Sequence, residues 1–197
     1  MLARRPLRSD AAATRQRIID AGAALARSRS IEVLTMRDIA RKAGVSTATA
    51  YTYFASKEHV YAEVYLVGVH TLSERLRARP PRGATAADRV ASVFRRAVEG
   101  AAGTGGVVQA TAIALASSDP AVASVRPLAD EAFDEWMTIA LADARISDRA
   151  ATVQALQLIM FSAFVAVAHG RLTLAEVGRL LDLSVRRMVI ETAGVPT

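Results

Sequence analysis

The most constraining feature of this sequence is a pair of short helices separated by only three residues, 43–45. Thr35 and Asp38 lie three positions apart, which is the spacing of a capping box at a helix N-terminus. Gly44 ends that helix because glycine tolerates the left-handed conformation there, and Ser46 can cap the next helix. Two short helices across a tight glycine turn predict a helix-turn-helix, a motif whose second helix enters the major groove of DNA.

The remainder of the chain also predicts helices. Alanine is abundant, and no run of β-branched residues alternates with a period of two. We therefore expect an all-α fold of about nine helices. Residues 1–56 form a three-helix DNA-binding domain, with a flexible arm over 1–8, and residues 57–197 form a larger helical domain.

Capping and helix-breaking residues divide the larger domain. A proline at the first position of a helix favours its start, whereas a proline inside one breaks it. Pro127 should therefore kink or restart the helix in which it lies. The other expected helix boundaries are Ser56, Pro80-Pro81, Gly103–Gly106, Asp119-Pro120, Ser147 and Thr173 with Glu176.

The net charge is concentrated at the N-terminal end. Residues 1–60 contain eleven Arg or Lys and five Asp or Glu, so they carry the entire formal charge of +6. Residues 61–197 contain fourteen of each sign and are neutral. A basic domain beside a neutral one is typical of proteins that bind nucleic acid at one end.

Residues 15–65 resemble the DNA-binding domain of the TetR family. The resemblance rests on LTMRDIARKAGVSTATAYTYFASKEHVYAEVY, residues 34–65. Within it, Thr-x-Arg-x-Ile-Ala, Ala-Gly-Val-Ser and Tyr-x-Tyr-Phe-x-Ser-Lys-Glu follow in the family's order and spacing. The resemblance implies a homodimeric regulator that binds double-stranded operator DNA, most simply a repressor released by a small molecule.

The resemblance also implies roles for individual residues. Phosphate contacts would come from the starts of the second and fourth helices, and base contacts from the third helix. The implied DNA-binding residues are Thr35, Arg37, Ser46, Thr47, Ala48, Thr49, Tyr51, Tyr53 and Lys57. Tyr51 and Phe54 have an alternative interpretation as core aromatics.

An uncharged segment over 150–168 reaches the length of a membrane-spanning helix. Polar residues are spaced through it and no aromatic belt brackets it, so we expect no membrane. Instead, we expect burial on nearly every face, between the domain core and a second subunit. The last two helices are therefore predicted to form the dimer interface.

The larger domain should also enclose a small apolar effector. Residues 172–189 resemble regulators of sterol and fatty-acid breakdown in actinobacteria, which implies an acyl or CoA-linked molecule. Apolar pockets and cores share a composition, so the candidate lining residues have core packing as their alternative. These candidates are Phe94, Phe133, Trp136, Met137, Met160, Phe161 and Phe164.

No catalytic or metal-binding constellation is visible, so we expect neither an enzyme nor a cofactor. The sequence has no cysteine, and His59 and His70 are about three helical turns apart, too far to share one ion. The acidic run over 130–135 is most simply a solvated helix face, with acid–base chemistry or a cationic ligand as alternatives. Without a signal peptide, the protein is expected in the cytoplasm.

Two other functions stay open. One is an all-α enzyme or carrier that happens to contain a helix-turn-helix. The other is a constitutive dimeric DNA-binding protein with no effector, in which the larger domain serves only for dimerisation.

Overall fold

The computed structural model describes residues 8–102 and 104–191. These residues form ten helical segments and no strand, apart from an isolated bridge between Ile146 and Glu191. The all-α prediction is confirmed. The segments are α1 Arg8–Ala26, α2 Met36–Ala43, α3 Thr47–Tyr53, α4 Lys57–Ala78, α5 Ala86–Ala101, α6 Gly105–Leu115, α7 Pro120–Ala123, α8 Arg126–Ala140, α9 Arg149–Ala168 and α10 Leu174–Met188.

The helix boundaries differ from the predicted ones in small ways. Pro127 restarts the helix rather than kinking it, which yields the short α7 and one segment more than expected. The prediction that Ser147 caps α9 is wrong, because the Asp148 carboxylate accepts the Ala151 N–H at 3.1 Å. Most of the predicted arm lies outside the described residues, although α1 already includes Arg8.

The smaller domain packs α1, α2 and α3 around one core. Its helices alone do not complete this core, because α4 contributes Val60, Tyr61 and Val64, and α6 contributes Ala110 and Ala114. The hydrophobic core of the smaller domain therefore continues past residue 56, the boundary predicted from the sequence.

The larger domain is built around an aromatic cluster. The ring centroids of Phe94 and Phe133 lie 6.3 Å apart, and those of Phe133 and Trp136 lie 6.0 Å apart. The Trp136 indole donates to the Ser73 hydroxyl at 2.7 Å, and that hydroxyl donates to the Val69 carbonyl at 3.2 Å. Both buried polar groups are thus satisfied, as a low-dielectric core requires.

Helix α4 belongs to both cores. Its first half enters the core of the smaller domain through Val60, Tyr61 and Val64. Leu66, Leu76 and the buried residues between them enter the core of the larger domain. At 1.5 Å per residue its 22 residues span about 33 Å, so one rigid element connects the two domains.

Helix α6 approaches the end of α1 more closely than any side chain at that point would allow. A Cβ atom on Gly106 would lie 1.9 Å from the Ala26 carbonyl oxygen. A Cβ atom on the neighbouring Gly105 would meet nothing within 4 Å. The contact is made by backbone atoms, which cannot rotate out of the way as a flexible side chain could.

We expect Gly106→Ala to separate α6 from α1 and to lower the free energy of unfolding by roughly 1–3 kcal/mol, as for overpacked sites. Gly105→Ala is the matched control, because alanine favours a helix over glycine and nothing obstructs its methyl group there. Chemical denaturation of the two variants tests this. Equal stabilities would contradict the close approach.

Helix α9 leaves one face exposed in the single chain, whereas the sequence predicts burial against both the domain core and a second subunit. Only Leu156, Met160 and Ala168 are buried in it, whereas Leu158 is 62% exposed and Phe161 is 48% exposed. By length and composition alone this helix could cross a membrane. In the structure it packs against α6 and α10 and leaves an apolar face uncovered by the single chain.

Candidate nucleic-acid interface

The helix-turn-helix is held by side-chain caps at both of its helix starts. The Thr35 hydroxyl accepts the Asp38 N–H at 3.2 Å, and the Asp38 carboxylate accepts the Thr35 N–H at 3.1 Å. Gly44 ends α2 with φ of 71°, in the left-handed region that favours glycine. Ser46 caps α3 by accepting the Thr49 N–H at 3.0 Å. The predicted caps are all present, and they fix the angle at which α3 leaves the turn.

Helix α3 presents most of its surface to solvent. Ala50 is its one buried residue and seats the helix on the core. Ala48, Tyr51 and Thr52 are exposed, with Tyr51 55% exposed, and Thr47, Thr49 and Tyr53 are half-buried. Of the two aromatics with an alternative as core residues, Phe54 is buried and Tyr51 is not. A helix exposed in this way can enter the major groove of DNA without any unfolding of the domain.

The start of α2 combines a fixed backbone with free positive charge. Arg37 is exposed in the first turn of α2, two residues after the cap, and forms no ion pair within the described residues. Lys42, which the sequence analysis did not single out, is exposed as well. The hydrogen bonds from Thr35, its hydroxyl first, hold the pKa of Asp38 below its ordinary value, so the capping carboxylate stays ionised at a lower pH than a free aspartate would.

Lys57 differs from the other predicted phosphate ligands. It is half-buried at the first position of α4. Its ammonium donates to the Ile31 carbonyl at 2.9 Å and to the Leu34 carbonyl at 3.0 Å. Since an ammonium has three N–H donors, at most one is left for another acceptor.

A polar junction joins this domain to α7. The Ser56 hydroxyl, which caps α4, also donates to the Asp119 carboxylate, which caps α7. This bond is the main reason that the pKa of Asp119 lies below its ordinary value. About two turns along α4, Glu63 pairs with Arg15 of α1 at 2.5 Å. No sequence signal indicates the Ser56–Asp119 contact, because the two residues are 63 positions apart.

The predicted effector-binding residues occupy three different environments. Phe94, Phe133, Trp136, Met137 and Met160 are buried in the core of the larger domain. Phe164 packs against that core, and Phe161 lies on the exposed face of α9. The structure therefore brings most of them together as packed side chains.

An open groove of about 600 Å³ lies between α8 and α9. Of the predicted effector residues, Met137 lines it. Its other lining residues carry carboxylate, guanidinium, amide and hydroxyl groups beside small apolar side chains. Of these, only Asp134 lies in a segment for which the sequence analysis considered a ligand, a cationic one. The other lining residues are Asp134, Thr138, Arg149, Ala150, Val153, Gln154 and Gln157.

Comparison with known proteins points to one class of regulator. A family described as "Bacterial regulatory proteins, tetR family" matches residues 18–64. An HTH-type transcriptional regulator of Mycobacterium tuberculosis (strain ATCC 25618 / H37Rv) is 33% identical over 167 residues, which cover 84% of this chain and 75% of the relative.

Solved structures share the whole fold. A TetR transcriptional regulator from Rhodococcus sp. RHA1 superposes with a TM-score of 0.77 at 21% identity, over 93% of this chain and 99% of its own. FadR from Thermus thermophilus, in complex with lauroyl-CoA, has a TM-score of 0.64 at 24% identity, over 93% and 99%. FadR from Bacillus subtilis, in complex with stearoyl-CoA, has a TM-score of 0.66 at 19% identity, over 88% and 97%.

Proposed function

Because this chain belongs to the TetR family of bacterial regulatory proteins, and is thus a DNA-binding transcriptional regulator, we propose that it is a ligand-responsive repressor. In this proposal a homodimer occupies an operator and a small effector with an apolar part releases it. The observation that carries the proposal is the capped helix-turn-helix, with α3 exposed at its surface and unpaired positive charge beside it.

The two helices would divide the work of DNA recognition. Thr47, Ala48 and Tyr51 of α3 reach base edges, because they are at or near the exposed side of the helix. Backbone phosphates are bound by the remaining proposed contacts, which position the protein without reading sequence. These are Thr35, Arg37, Ser46, Thr49 and Tyr53.

We expect Arg37→Ala to weaken binding on all duplexes and to reduce the slope of log K against log salt concentration by about 0.9, the value for one lost phosphate contact. Thr47→Ala should instead change the preferred base pair at one position. The measurements are mobility shifts over a salt series and selection from randomised DNA. Arg95→Ala, which removes an exposed arginine from α5 in the larger domain, is the control and should change neither. If the unmodified protein enriches no sequence from the randomised DNA, the proposal of sequence-specific binding is overturned.

The homodimer would form through α9 and α10. Leu158 and Phe161 on α9, with Leu180 and Leu183 on α10, are all about half exposed or more, although they are large and apolar. These four residues are the apolar face of α9 and α10, and a second copy of the same face would bury it. A soluble homodimer in the cytoplasm also accounts for the membrane-length composition of α9.

We expect Phe161→Glu to give a monomer, because association would bury its charge without a partner. Light scattering should then change from about twice 20.9 kDa to 20.9 kDa. Leu128→Glu, at an exposed leucine of α8, is the matched control and should remain dimeric. A dimer that persists in Phe161→Glu would place the interface elsewhere.

The groove between α8 and α9 is the proposed effector site. Val153, Ala150 and Met137 offer an apolar surface, and Arg149 with Gln154 offers donors for an acyl carbonyl or a phosphate. An acyl-CoA has both parts. FadR of Thermus thermophilus and FadR of Bacillus subtilis were each captured with such a molecule, which supports this class of effector.

Effector binding would reach the DNA through α4 and its neighbours. The larger domain touches the smaller one where Asp119 accepts from Ser56 and where Gly106 meets Ala26. Two recognition helices of a dimer must lie about 34–36 Å apart, or a multiple of this, to meet one face of B-DNA. An effector that moves α7 and tilts α4 would change that separation.

We expect lauroyl-CoA to bind the free protein more tightly than the DNA-bound protein, by the same factor by which it weakens DNA binding. A hundredfold factor corresponds to about 2.7 kcal/mol. Isothermal titration with and without the selected duplex measures it, and Val153→Trp, which fills the groove, should abolish the heat of binding. Equal affinities in both titrations would favour the second candidate, a constitutive DNA-binding dimer.

A further inference from the structure

The ammonium of Lys57 lies beneath the loop that connects α1 to α2. Ile31 and Leu34, whose carbonyls it binds, are 2% and 1% exposed, so their side chains anchor the loop in the core. The Leu34 N–H donates to the Ile31 carbonyl at 3.2 Å, which closes a turn between the two acceptors. One cation therefore holds both ends of this turn.

This turn determines where α2 begins. Leu34 is followed directly by Thr35, the N-cap of α2, and the proposed phosphate ligand Arg37 is in the first turn of that helix. Lys57 is the first residue of α4. Its two hydrogen bonds thus connect the start of the interdomain helix to the start of the phosphate-binding helix.

The same hydrogen bonds reduce what Lys57 can offer to DNA. Two of its three donors point at loop carbonyls, and its side chain is half-buried. Arg37 and Lys42, in contrast, are exposed and form no ion pair within the described residues. Counterion release on DNA binding is produced by cations that approach phosphates, and the exposed Arg37 and Lys42 are free to do so.

We propose that Lys57 acts in DNA binding as a positioning residue, which ties the loop over 31–34 to α4 and so sets the N-terminus of α2. The proposal rests on the proposed DNA-binding function and deepens it, because a tilt of α4 would then move the loop and the phosphate-binding start of α2 together.

Lys57→Met tests this proposal, because methionine keeps an unbranched apolar side chain and removes all three donors. In the free protein, hydrogen exchange at the amides of 33–36 should become at least about tenfold faster, the effect of losing hydrogen bonds to a charged donor. Arg37→Met is the matched control and should leave exchange of these amides unchanged. Unchanged exchange in Lys57→Met would overturn the proposal.

A salt series on the selected duplex gives the second readout. Arg37→Met should reduce the slope of log K against log salt concentration by about 0.9, the value for one lost phosphate contact. Lys57→Met should weaken binding less in the Arg37→Met protein than in the unmodified protein, because a residue that acts through the start of α2 then has one contact fewer to position. Effects that add in the double variant, as two independent phosphate contacts would, would overturn the proposal.

Lys57→Arg covers the case in which Lys57→Met does not fold. Arginine keeps the charge, but its planar fork cannot reproduce the geometry of one ammonium between two carbonyls. Positioning predicts weaker binding and faster loop exchange although the charge is retained, and binding equal to that of the unmodified protein would overturn it. If no variant and no unmodified protein binds DNA, the DNA-binding proposal fails, while the exchange experiment still decides what Lys57 does.

Discussion

Burial of α4 on two sides is the constraint on which the rest of the structure depends. A helix with one apolar stripe can serve one core, but α4 presents Val60 and Tyr61 to the smaller core and Leu66 and Leu76 to the larger one. Neither domain is complete without it. Because both cores are close-packed, α4 cannot move within one of them without displacing side chains of that core. Its motion is therefore restricted to displacements that carry a whole domain with it.

The two helices of the helix-turn-helix would not be stable on their own. Helices of eight and seven residues are well below the length at which isolated helices are stable in water. Caps from Thr35, Gly44 and Ser46 satisfy their terminal groups, and Ala50 joins α3 to the shared core. The exposed side of α3 therefore makes no packing contacts that the fold requires, so small and hydroxyl-bearing residues can occupy it.

Local chemistry could be predicted from the sequence, and long-range partnerships could not. Thr35 with Asp38, Gly44 and Ser46 act on residues a few positions away, so their spacing alone indicated the helix-turn-helix. Ser147 was a wrong prediction for the cap of α9 because Asp148, one residue on, is equally able to cap. The Ser56–Asp119 bond and the Lys57 bonds to loop carbonyls join segments that are distant in sequence. No local sequence pattern in one segment indicates which other segment it contacts.

The same limit explains the effector residues. Phe94, Phe133 and Trp136 were expected to line a pocket or to form a core, and composition does not separate these outcomes. The structure packs them against one another, with the Trp136 indole bound to Ser73 of α4. The polar groove residues Arg149 and Gln154 form no sequence motif that would indicate a binding site. They become neighbours of Asp134 only because α8 and α9 lie on opposite sides of the groove.

The length of α4 converts a small tilt of this helix into a large displacement of its end. Across the length of α4, about 33 Å, a tilt of about 5° displaces one end by roughly 3 Å relative to the other. A shift of that size exceeds what hydrogen bonds to phosphates tolerate, since their useful range is only about half an ångström wide. The backbone contact of Gly106 on Ala26 and the Ser56–Asp119 bond both meet the smaller domain close to the start of α4, so they brace its position where such a tilt would act. Under the proposed function, a small change in the larger domain would therefore move the DNA-binding surface away from its phosphate contacts without unfolding either core.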